Sequence, residues 1–94
     1  MLYEGLVTLA PTLDALVGRV AAVAEARGPE TGWRILQTVP RAEATSYQPY
    51  WAVAAHLLKG LKRNTEAIEA YERASGLCED TAMRAFLREQ RRRL

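Results

Sequence analysis

Apolar residues return every three or four positions along most of this chain, and no run alternates apolar and polar over a strand's length. That period predicts helices and no sheet. The stretch LYEGLVTLA sets Leu2, Leu6 and Leu9 on one stripe. Pro11 closes it, because a proline ring disfavours the helical conformation of the residue before it. Thr12 then offers a hydroxyl to cap a second helix, running to about Arg27 with Leu13, Leu16, Val17, Val20, Val23 and Ala24 inward.

RGPET is a break: Gly28 suits the left-handed backbone that follows a helix, and Pro29 suits the first turn of the next. The third helix carries Trp33, Leu36 and Val39 inward, pairs Glu30 with Arg34 outside, and ends at Pro40. RAEATS reads as the longest polar connection. Ser46 is the expected cap of a fourth helix, with Pro49 in its first turn and Trp51, Ala54, Ala55, Leu58 and Leu61 inward. After a turn of Lys62 and Arg63, Asn64 is the expected cap of a fifth, TEAIEAYERASGL, with Glu69 paired to Arg73 outside. Asp80 caps a sixth, which places Met83, Phe86, Leu87, Gln90 and Leu94 on one side.

Short turns make neighbouring helices antiparallel. The two hairpin turns, at Gly28 and Lys62, stand 34 residues apart. At the same offset Val17 matches Trp51, Val20 matches Ala54, Ala21 matches Ala55, Ala24 matches Leu58 and Trp33 matches Ala67. That is the tetratricopeptide period. The second unit resembles such a repeat: Trp51, Ala55 and Leu58 on its first helix, and Ala67, Tyr71 and Ala74 on its second. Small residues at Ala55 and Ala67 let two backbones approach while Trp51 and Tyr71 fill the volume beside them. It departs from the pattern at Lys62, where a turn glycine is usual, and at Glu79, where a proline is common; Trp33 and Gln37 make the first unit degenerate. The expected fold is all-α: about six helices, as antiparallel hairpins stacked in a tetratricopeptide-like right-handed superhelix. The last helix caps the stack, with Met83, Phe86 and Leu87 on the hairpin and its arginines in water. The whole is one domain, residues 1–94, expected to be cut from a longer protein or to pair with another copy, since Met1 and Leu2 begin a helix without a cap.

Composition narrows the function. With 49% hydrophobic and 26% charged residues the chain is an ordinary globular one. One cysteine, Cys78, excludes an internal disulfide and a cysteine-based zinc knuckle, and fits a reducing, cytoplasmic setting. Neither a signal peptide nor a run of about 18 apolar residues is present, so no membrane role is expected. The net charge is +2, yet the residues from Arg84 onward carry +4 and the rest −2. A nucleic-acid binder spreads basic charge over a face; here it sits on one helix. Arg84, Arg88 and Arg92 are like charges at i,i+4, which repel slightly. They read as a solvated outer face or as the site of an acidic partner, protein or nucleic acid.

No catalytic constellation emerges. His56 is the single histidine and has no second ligand at i+4, so a helix-face histidine is the plain reading. Cys78 reads as a half-buried structural thiol, and Glu66, Glu69 and Glu72 as a solvated helix face. GPETG is too short for a phosphate loop. The expectation is a binding domain, not an enzyme, without cofactor or metal. Its candidate groove residues are Arg19, Gln48, Val53 and His56, with Arg84, Arg88 and Arg92 as candidate partner contacts.

Over its whole length the chain resembles the tetratricopeptide-like C-terminal extension of a group of extracytoplasmic-function sigma factors. The likeness is carried by Leu2, Tyr3 and Pro11; by Ala22, Val23 and Ala24 before the Gly28–Pro29 turn; by Tyr47, Leu57, Leu58, Ala67 and Tyr71 in the hairpin; and by Arg84, Phe86 and Leu87 in the final RAFL helix. Gly18, Trp33 and Lys62 depart from the family pattern. The resemblance implies a parent protein that directs bacterial RNA polymerase to promoters. It implies that this part regulates or stabilises, contacting sigma-factor core domains, RNA polymerase or a regulatory protein, with no direct DNA contact of its own. A different expectation from the residues alone is a free-standing helical adaptor that homodimerises through its first helix.

Overall fold

The computed structural model describes residues 13–94, and these are all-α. The helix expected from Leu2, Leu6 and Leu9, its end at Pro11 and the Thr12 cap lie outside the described residues. The helices are α1 (Leu13–Arg27), α2 (Pro29–Leu36), α3 (Arg41–Ala44), α4 (Gln48–Gly60), α5 (Asn64–Leu77) and α6 (Thr81–Arg92). No strand occurs among the described residues.

In α1, Val17 and Val20 are buried and Leu13, Leu16 and Ala24 pack beside them. Gly28 turns the chain at φ 98°, and Pro29 follows in the first turn of α2. Gly32 then lies against Ala24, four residues to either side of Gly28, so α2 doubles back on α1. This is the close approach of the first hairpin. It is not made at Ala21, which is exposed, whereas its offset match Ala55 is fully buried.

Pro40 does not end α2, which stops at Leu36. The Thr38 hydroxyl donates to the Ile35 carbonyl at 2.7 Å and the Val39 amide to Leu36 at 3.1 Å, tightening the last turn while Val39 stays buried. Pro40 instead precedes α3, a single helical turn within RAEATS, the segment expected to be a polar loop. Burial of Ala44 holds this turn, and the Trp51 indole donates to the Thr45 carbonyl at 2.8 Å.

Tyr47, not Ser46, caps α4, and its side chain makes no capping bond. Tyr50 is buried and meets Trp51 edge-on, ring centres 5.1 Å apart. Ala54, Ala55, Leu57 and Leu58 complete the buried face of α4. The most extensive contact joins it to α5, which buries Ala67, Ala70, Tyr71 and Ala74. Lys62 makes the turn at φ 63°, as a glycine would. Its amide donates to the Lys59 carbonyl and that of Arg63 to Leu58, the two bonds of a Schellman helix end. Arg63, not Asn64, then caps α5; its guanidinium forks onto the Glu66 carboxylate at 2.7 and 2.8 Å.

Asp80 caps α6 as expected, accepting from the Ala82 amide at 3.0 Å. The rotation of α6 differs from expectation. Leu87 is buried at 2% exposure, but Met83 and Phe86 are 43% and 56% exposed. Arg84 donates through Nε and Nη2 to the Cys78 carbonyl, and Arg91 reaches Glu72 at 2.9 Å. These ties and Leu87 fix the helix on α5 with its phenylalanine turned outward. Two of the arginines expected in water therefore tie α6 to the preceding helix and its end.

Candidate partner-binding surface

Three concavities are of note among the described residues. The first, about 760 Å³, runs between α1, α4 and α6, with Ala21, Ala24, Val53, His56, Leu57 and Phe86 among its walls. Helical spacing explains its α4 wall: Val53, His56 and Leu57 fall at i, i+3 and i+4. Val53 is half-buried and His56 exposed. At the rim, Lys59 donates to the Gln90 side chain at 2.9 Å, joining α4 to α6.

The second, about 670 Å³, lies between α5 and α6 and is lined by Glu72, Ser75, Arg84, Arg88, Arg91 and Arg92. Glu89 holds Arg92 at 2.8 Å and Arg93 at 3.3 Å, and hydrogen bonds from those two guanidinium groups lower its carboxyl pKa. α6 thus separates an apolar channel from a basic one.

The third, about 470 Å³, is lined by Trp33 and Trp51 together with Tyr50, Arg41, Arg63 and Arg73. Arg63 stacks over Trp33 at 5.3 Å and Arg73 over Trp51 at 4.8 Å. Arg73 was expected to pair with Glu69 and does not; Glu30 and Arg34 form no ion pair either. A half-buried indole face offers a guanidinium more than a solvated carboxylate does. The sequence held a signal for the Arg73 stack. Trp51 and Arg73 are equidistant from Lys62, as antiparallel helices require of facing residues.

Of the expected groove residues, Val53 and His56 share the first channel. Arg19 is exposed elsewhere on α1, and Gln48 sits at the start of α4 with its amide nitrogen buried and unpaired. Arg84, Arg88 and Arg92 share the second channel. Phe86 was expected in the core and is instead a wall of the first channel. Cys78 is buried, its thiol donating to the Asp80 carbonyl at 3.4 Å. Burial raises the Tyr71 hydroxyl above its ordinary pKa. Among the described residues no three His, Cys, Asp or Glu side chains are placed to hold a metal ion, and no helix is long and apolar enough to cross a membrane.

Comparison with known proteins adds one relative. An uncharacterized protein of Rhizobium meliloti (strain 1021) is 33% identical over 91 residues, which cover 96% of this chain and 21% of that protein. The chain therefore spans about a fifth of the length of the curated relative it matches. No protein-family model matches it, and no solved structure does.

Proposed function

We propose that this chain is a non-catalytic interaction and regulatory module. In this reading it is a tetratricopeptide-like stack of hairpins similar to the C-terminal extension of an extracytoplasmic-function sigma factor. It acts in transcription initiation through its parent protein, in the cytoplasm of a bacterium. Its partners are sigma-factor core domains, RNA polymerase or a regulatory protein, and it touches no DNA itself.

The apolar channel between α1, α4 and α6 carries this reading. It is walled by small and aliphatic side chains, open to solvent and edged by His56 and Phe86, a shape suited to holding another polypeptide. Gly28 and Lys62, the two residues of positive φ among those described, stand 34 residues apart in the two hairpin turns, which supports the repeat although their helix ends differ.

The test uses the core domains of a sigma factor of this group with its own extension removed, titrated into the purified chain by calorimetry. Binding is expected. Val53→Glu with His56→Glu should weaken it at least about tenfold while the circular dichroism spectrum is unchanged. If the unsubstituted chain binds neither these domains nor RNA polymerase, the reading fails.

A further inference from the structure

The outward flank of α6 does not look like a solvated surface. Met83 and Phe86 are 43% and 56% exposed, and Ala82 and Ala85 beside them are exposed too. Acids stand at one end of the helix, Glu79 and Asp80, and arginines at the other, Arg91 to Arg93.

We propose that this flank pairs antiparallel with the same flank of a second copy of this chain, about a two-fold axis beside Phe86. The proposal does not rest on the function proposed above, but it fills the same channel, so a second copy and that partner would compete for it. In such an isologous contact each residue faces the one equally far on the other side of the axis. Centred on Phe86, Glu79 of one copy faces Arg93 of the other, each two helical turns from Phe86 and on its face. That pairing occurs twice. The helix dipoles also run opposite ways, so each positive end lies by a negative one. A parallel pairing would set arginine against arginine. Ala82 and Ala85 let the two helix backbones approach closely. The Phe86 ring of each copy then covers the apolar channel of the other, beside Val53 and His56, where about 760 Å³ is open.

A second copy suits this flank better than a nucleic acid or an acidic peptide. Either of those would seek the arginines and leave Met83 and Phe86 uncovered and the acidic end unmatched. The exchange of partners is also cheap. Arg93 leaves only a long bond to Glu89, 3.3 Å, in which its side chain is 66% exposed.

Sedimentation velocity of the purified chain over a concentration series tests the proposal. A reversible monomer–dimer equilibrium is expected, weaker at high salt. Phe86→Glu should raise the dimer dissociation constant roughly 30-fold or more, as loss of a central aromatic anchor does. Phe86 is exposed enough for that variant to fold, which circular dichroism checks. Glu79→Arg and Arg93→Glu should each weaken the dimer several-fold, and the double variant should recover it, because the pairs are then reversed and not lost. A chain monomeric at every concentration overturns the proposal. So does a dimer indifferent to Phe86→Glu, or a double charge variant as weak as the singles.

Discussion

A side chain added at Gly32 would place its β-carbon 2.7 Å from that of Ala24, closer than two such atoms can lie. Alanine favours a helix over glycine by about 1 kcal/mol, but overpacking a close helix contact costs about 1–3 kcal/mol. Gly32→Ala should therefore lower stability by roughly 1 kcal/mol in a urea melt. Lys62 presents the opposite case. It holds a left-handed backbone, φ 63°, that costs an L residue roughly 1–2 kcal/mol. Lys62→Gly relieves that strain and loosens the unfolded chain, so the same melt should show a net gain of about 0.5–1 kcal/mol. The sequence announced the second site, because a lysine stood where a turn glycine is usual. It was silent on the first. A lone glycine inside a helical pattern looks the same whether it faces solvent or another backbone, and only the packing of α2 on α1 distinguishes the two.

Helix faces followed from the three-to-four spacing wherever the apolar stripe was wide, as in α1, α4 and α5, while the caps of α4 and α5 each moved by one residue. Two elements escaped it. The turn α3 is too short to show a period, and a tryptophan hydrogen bond from α4 fixes it. In α6 the stripe placed Met83, Phe86 and Leu87 all inward, but with Arg84 bonded to the Cys78 carbonyl only Leu87 is buried. Leu87→Ala should cost about 2–5 kcal/mol. Phe86→Ala should stay within about 1 kcal/mol in a thermal melt at concentrations below the dimer equilibrium. The same rotation explains the surface chemistry. The candidate arginines share one side of α6 because they follow helical spacing. The channel on its other side could not be read, since its walls come from helices distant in sequence that only the fold brings together.

Among the described residues, contact passes mainly between helices that follow one another: α1 with α2, α4 with α5, α5 with α6. The larger links that skip a helix are α2 and α1 against α4, in place of the one-turn α3. Little chain must be closed into a loop before a contact rewards it. Such a protein should fold on the microsecond-to-millisecond scale. Temperature-jump relaxation, with Trp33 and Trp51 as probes on two different hairpins, would measure this, and a refolding phase of seconds would contradict it. Each hairpin can then assemble as soon as its own residues are free to move, without waiting for distant parts of the chain to arrive.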